Sequence, residues 1–304
     1  MDHGEARIFM VEAPVVAAAD PFDPEGSTAD LASHRAPAPM PPLSDPLVAG
    51  PGSAHWWRRS GAVLVRNRVR LLPVTALAAL PMHFFVGRVD DTVVAAPALV
   101  EMAGGFGLLL LPIMWLAFFT VSALPLVIGL AGTVGVAVPT AADGVAPRLG
   151  RVWSLVAERL RALWLWFAAI ALLIAGLPLL ITEERLGPGA AAPLWVVHAI
   201  GSTVLLTFGG VLGCVVLVER GHPRRAARLL SRVQPAGLIA ASAAVTVVPE
   251  VVDRLAGAIA STAVAVVLVQ LWAIAALVSY AQARRLAEPV TSGSLRAELS
   301  APEE

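Results

Sequence analysis

The chain has no lysine and only one cysteine (Cys214), one asparagine (Asn67) and one tyrosine (Tyr280). A single thiol excludes an intrachain disulfide and a thiolate metal cluster. Without lysine there is no GxxxxGK[ST] loop, so Walker-type nucleotide binding is excluded. The six histidines (His3, His34, His55, His83, His198, His222) show no HxxxH or HExxH spacing, so no metal or other cofactor is expected. Charge is scarce too: 14% of 304 residues, against about 25% in soluble proteins. It is also balanced, 22 arginines against 22 acids, so no global field recruits nucleic acid. Apolar residues are abundant, at 57% with a mean hydropathy of +0.76. That composition describes a polytopic membrane protein. We read the missing lysine, beside the Ala/Val/Leu/Gly excess, as GC-rich bacterial coding bias.

Residues 1–52 hold nine prolines, eight acids and two arginines with no apolar period. Such a segment cannot bury enough surface to offset its ordering entropy, which predicts a disordered acidic arm. It lacks the apolar h-region of a secretory signal and should stay on the chain. From Ser53 the composition changes to Trp, Arg and aliphatics, the make-up of an interfacial segment leading into a first apolar run, 71–86. The second run, 102–139, is uncharged and about twice the length of a crossing. It is either two short spans or one long helix bent at Pro112 or Pro125. Arginines flank it on the same side as those before the first run, so one long crossing satisfies the count. Further spans are predicted at 162–181, 194–218, 235–248 and 256–280. Acidic outer loops fall at 87–92, 182–193 and 250–254, and a loose polar tail at 281–304.

This gives an all-α domain over 53–280, with six transmembrane helices in three hairpins and amphipathic basic helices on the cytoplasmic face. Sixteen near-membrane arginines fall on one side, and Arg88, Arg185 and Arg254 on the other. The imbalance places both termini in the cytoplasm of a bacterial inner membrane.

Segments 60–81, 150–178 and 225–249 each run from a basic stretch into an apolar one that closes in Leu-Pro or Val-Pro. Either the chain is a threefold repeat, or each copy reflects only arginine placed before an outgoing span. Three stretches carry a family resemblance: Asp143-Gly-Val-Ala-Pro-Arg-Leu-Gly-Arg-Val-Trp-Ser-Leu-Val, Val218-Glu-Arg-Gly-His-Pro-Arg-Arg-Ala-Ala-Arg-Leu-Leu-Ser-Arg-Val and Ser279-Tyr-Ala-Gln-Ala-Arg-Arg. They resemble the cytoplasmic turns of a bacterial six-span family labelled the membrane domain of glycerophosphoryl diester phosphodiesterases. The likeness covers residues 53–290 and departs at Gln282, where members carry an acid. It implies a membrane module that some proteins fuse to a catalytic barrel. A barrel needs some 200 or more residues, which this chain does not have outside its apolar runs, so no enzyme activity is expected. His34-Arg35 echoes a pair from such enzymes but stands alone.

Within the spans the conspicuous polar groups are Gln270 and His198. Gln270 suits interhelical hydrogen bonding or substrate contact, and His198 a carbonyl bond or a proton path. Gly209-Gly-Val-Leu-Gly213 and Gly129, Gly132 and Gly135 suit close helix packing or dimerisation. The largest chemical feature is a cytoplasmic arginine collar in three clusters. These are Arg58, Arg59, Arg66, Arg68 and Arg70; Arg151, Arg159 and Arg161; and Arg224, Arg225, Arg228 and Arg232. Such clusters attract anionic headgroups at about 1 kcal/mol per charge. The expected function is therefore a non-catalytic membrane protein that binds or organises lipid, or partners another membrane protein or its own copy. The alternative is a small-molecule or lipid exporter with a polar path along Gln270, Ser122, Thr207 and Ser202. The acidic arm could close over the collar.

Overall fold

The computed structural model describes residues 45–48, 53–85, 107–176, 188–233 and 235–301. Most of the predicted arm, the first outer loop with Arg88, residues 182–187 of the second with Arg185, and residues 302–304 lie outside them; residues 188–193 of that second predicted loop are helical. The described residues all fall within one compact unit, Ser44–Glu304. The described part of this unit is all-α. In chain order it comprises α1 (Ser53–Phe85), α2 (Gly107–Ser122), α3 (Leu124–Asp143), α4 (Leu149–Gly176), α5 (Pro188–Cys214), α6 (Pro223–Leu230), α7 (Ala236–Ala256), α8 (Ala258–Ala287) and α9 (Ser292–Ser300). A π-helical turn, Val215–Glu219, continues α5.

Four segments are long and apolar enough to cross a membrane: Leu116–Asp143, Pro193–Glu219, Ala236–Ala256 and Ala258–Ala287. They correspond to the second, fourth, fifth and sixth apolar runs. The described parts of the first and third runs, 71–85 and 162–176, lie inside α1 and α4, whose N-terminal halves carry the arginines. A separate interfacial helix before each of these runs is not found; basic and apolar parts form one continuous helix. The reason is a buried stripe that passes through the boundary unbroken. In α1 it runs Val63, Asn67, Leu71, Val74, Ala78, and in α4 Val152, Val156, Arg159, Leu163, Phe167, each at three- or four-residue spacing.

The long second run is helical on both sides of Ala123. The break falls two residues before Pro125, whose ring and missing N–H interrupt the helical ladder. At the break the indole N–H of Trp164 in α4 donates to the Thr120 carbonyl at 2.8 Å. The predicted outer loop at 250–254 is instead the end of α7. Glu250 and Arg254 pair across one helical turn there, and Gly257 alone makes the reversal at φ 81°, ψ 172°, a region open to glycine.

Lipid is as apolar as leucine, so helix association here rests on close packing and polar contacts. Glycines of α3 and α5 supply the packing. A Cβ on Gly132 would overlap Val74 of α1, and one on Gly213 would overlap Leu130 of α3. At Gly210 it would sit 2.9 Å from Ala276 of α8, and at Gly209 2.9 Å from Ile170 of α4. The glycine motifs thus pack helices within one chain. The best-packed region joins most of α3 to the C-terminal halves of α5 and α8, where Trp272, Leu217 and Tyr280 are fully enclosed. By contrast α7 is buried at few positions, Leu238 and Ser242 among them.

Candidate functional site: the basic end of the bundle

The N-termini of α1, α4 and α7 meet the C-termini of α3, α5 and α8 at one end. Trp56 of α1 donates its indole N–H to Ser279 Oγ of α8 at 3.0 Å, and its ring covers Gly237 of α7. Farther along, Thr75 of α1 reaches Gln270 of α8. Trp56 and Thr75 are about 28 Å apart along α1 while their α8 partners are about 14 Å apart, at 1.5 Å per residue. The helix α1 therefore runs obliquely to α8. In its arginine half, Arg58, Arg66, Arg68 and Arg70 are exposed and Arg59 is half-buried.

The same end carries the other two clusters. Arg151 and Arg161 of α4 are exposed, as are Arg224 and Arg228 of α6 and Arg232 just beyond it. The short α6 buries Ala226 and Leu229 against the bundle and turns its arginines outward. Two members of the predicted collar are engaged by protein groups instead. Arg159, 5% exposed, donates to the carbonyl of Leu217 in the π-helical turn and, at 3.1 Å, to that of Glu298. It thereby bonds carbonyls at two helix C-termini, where the dipole favours a cation. Arg225 pairs through Nε with Glu219 at 2.9 Å and through Nη2 with Glu288.

Beside them lies an ion cluster that arginine counting overlooks. Arg284, 6% exposed, donates to Glu298 Oε2 at 2.6 Å and to Glu288 Oε2 at 2.9 Å. Tyr280, one turn earlier on the same face of α8, donates its hydroxyl to Glu219 Oε1 at 2.8 Å. The hydrogen bond from Arg284, then that from Arg225, holds Glu288 below the usual carboxylate range, and burial only partly opposes this. The bond to Glu288 in turn raises the Arg225 guanidinium. The sequence signal for this cluster is the set of acids interspersed among the arginines of this end: Glu158, Glu219, Glu288 and Glu298. Tyr280 and Arg284 lie in one of the turn motifs, and Glu219 and Arg225 in another.

The tail beyond residue 280, expected to be loose, is built into this end. Helix α8 continues to Ala287, and α9 buries Leu295 and Leu299, four residues apart on one face. A capping box joins Thr291 and Ser294 at its start. Arg296 pairs with Asp143 of α3, and the Ala301 carbonyl accepts from Arg220 at 2.8 Å. Part of the predicted arm also packs here. Leu47 and Val48 are buried, and Asp45 accepts the Ser292 N–H at 2.7 Å, at the positive end of α9. Asp45 thus contacts a helix terminus; the other acids of the arm, and with them its closure over the collar, lie outside the described residues.

The intramembrane polar residues are tied into the bundle. Gln270 accepts from Thr75 at 3.1 Å and donates to Thr133 Oγ1 at 2.7 Å, joining α1, α3 and α8. His198 Nε2 lies 2.8 Å from the Ile174 carbonyl of α4, to which it donates. Thr207 and Ser122 bond to carbonyls of their own helices, and Ser202 contacts His198. No group of metal-ligating side chains occurs among the described residues.

Comparison with protein-family models, curated proteins and solved structures finds no match to this chain. The kinship suggested by the cytoplasmic turns therefore stays a proposal. The chain is an all-α protein with four helices suited to crossing a membrane, and its charged chemistry gathers at one end of the bundle.

Proposed function

We propose that this chain is a non-catalytic integral membrane protein whose basic end binds and organises anionic phospholipid headgroups. The observation that supports this reading most is the division among the arginines. Backbone carbonyls take up Arg159 and carboxylates take up Arg225 and Arg284, while most of the collar arginines stay exposed on three neighbouring elements. In the same reading α1 and α4 complete two further crossings, giving six spans in three hairpins with both termini cytoplasmic. That is the module its turn motifs resemble. The exposed arginines of α1 and α4 that lie a turn or more into their helices can snorkel to the headgroup level. The capture of Gln270 by two threonines favours a packed module over a substrate path.

The test is a lipid titration of the detergent-solubilised full chain, followed by native mass spectrometry. Phosphatidylglycerol should bind in preference to phosphatidylcholine. Substituting Arg224→Gln, Arg228→Gln and Arg232→Gln together should weaken phosphatidylglycerol binding tenfold or more at low salt, from about 1 kcal/mol per charge. Equal binding of the two lipids, or no change in the triple variant, would remove the reading.

A further inference from the structure

A cavity of about 350 Å³ opens where α6, the end of α8, and α9 approach the π-helical turn. That is at the small end of ligand pockets, about 300–1,000 Å³. Its charged lining is Arg220, Arg225, Arg284, Glu219, Glu288 and Glu298. Three guanidiniums face three carboxylates, so the cavity is neutral as it stands. Two of those carboxylates, Glu288 and Glu298, follow the end of α8 and belong to the same tail that supplies the Glu298 and Ala301 carbonyls to Arg159 and Arg220. With the tail lifted, the three guanidiniums of the cavity would keep Glu219, and Arg220 also Glu158 of α4 at 3.5 Å, but would lose the two carboxylates that the tail supplies. Arg284 Nε is also buried without a hydrogen-bond acceptor; Glu219 Oε1, at 3.5 Å, lies outside bonding geometry. Planar guanidinium forks around one concavity match the oxygens of a phosphate group.

We propose that this cavity is a phosphate-binding site in which Glu288 and Glu298 act as a displaceable internal ligand. One dianionic phosphate would replace two carboxylates with no change in total charge, and α9 would leave the basic end as it binds. The proposal deepens the headgroup reading and rests on it only for a lipid source of the phosphate. The exposed arginines of α6 are left intact in its test, so the two can fail separately.

The experiment compares the full chain with a Glu288→Gln, Glu298→Gln variant, and with the same variant carrying Arg225→Gln. Inorganic phosphate is titrated in detergent at constant ionic strength, and phosphatidic acid is presented in nanodiscs of otherwise zwitterionic lipid. The double variant should bind at least tenfold more tightly than the unmodified chain, and Arg225→Gln should abolish the gain. A gain with both probes identifies free phosphate as sufficient, and a gain with phosphatidic acid alone identifies a lipid headgroup; either upholds the site. No gain with either probe, or a gain that survives Arg225→Gln, overturns it. If the variants do not fold, a nitroxide at position 300 (Ser300→Cys) on the otherwise unmodified chain gives the same answer. Saturating phosphate should mobilise the label relative to chloride, and an immobile label would overturn the proposal.

Discussion

At the scale of single residues, the membrane interior is held by small and polar groups placed where helices touch. Gln270 is the clearest case, because it bonds to hydroxyls on two other helices. Thr75 and Thr133 keep bonds to their own Leu71 and Gly129 carbonyls if Gln270 is lost. Replacing Gln270 with Leu should therefore cost only about 0.6–2 kcal/mol, read as a lower midpoint in sodium dodecyl sulfate unfolding. An unchanged midpoint would mean the clasp does not hold the helices. The glycines divide by what surrounds them. Gly213→Ala places a methyl group against Leu130 and should destabilise by about 1–3 kcal/mol, the usual cost of overpacking. Gly201→Ala meets nothing within 4 Å and should be neutral or stabilising, by up to about 1 kcal/mol of helix propensity. Equal effects in the same unfolding assay would contradict the packing described. The GxxxG at Gly209 and Gly213 was legible as a close-packing signal. Its partners Phe167, Leu163 and Leu130 were not, because residues far apart in sequence leave no spacing to read.

Among elements, the decisive one is α9. A charge-rich segment after the last span looks loose by composition, yet two leucines four apart, a capping box and four ion-paired or carbonyl-bound arginines fix it. The arginine contacts are weak as sequence signals, since each needs a partner more than ten residues away. The acids of the basic end were the missed clue: counting arginines groups the helix ends, but pairing them with Glu219, Glu288 and Glu298 gives the docking of the tail. The depressed Glu288 sets the direction of its pH response. A carboxylate with a lowered folded value stabilises docking fully above its unfolded value, near 4.3, and loses that contribution as pH falls through the folded value. A nitroxide at position 300 should thus be immobile from pH 5 to 8 and become mobile only as pH falls below the usual glutamate value of about 4.3. Arg159→Gln removes the guanidinium that caps the π-helical turn and holds the tail carbonyls, and should free the label at neutral pH. A label that stays immobile in that variant would show that the leucines and the contacts of Arg220, Arg284 and Arg296 seat α9 without Arg159.

On the scale of the whole molecule, composition and apolar run length identified an all-α membrane protein, and arginine placement grouped the helix ends that the structure joins. The exact extents of helices were less legible, because a buried stripe can carry a helix through a basic boundary, as in α1 and α4, or through an acidic one, as at Glu250–Arg254. Sidedness follows from the same charges, so a topology reporter fused after Glu304 should be active on the cytoplasmic side. Periplasmic activity would invert the account. The central claim is that the basic end holds anionic headgroups, and its most direct test is the lipid that accompanies the protein out of its own membrane. Gentle extraction followed by native mass spectrometry should find anionic phospholipid retained by the unmodified chain. That lipid should be depleted when Arg224, Arg228 and Arg232 are replaced together by Gln. A lipid-free monomer, or the same lipids on both proteins, would contradict it.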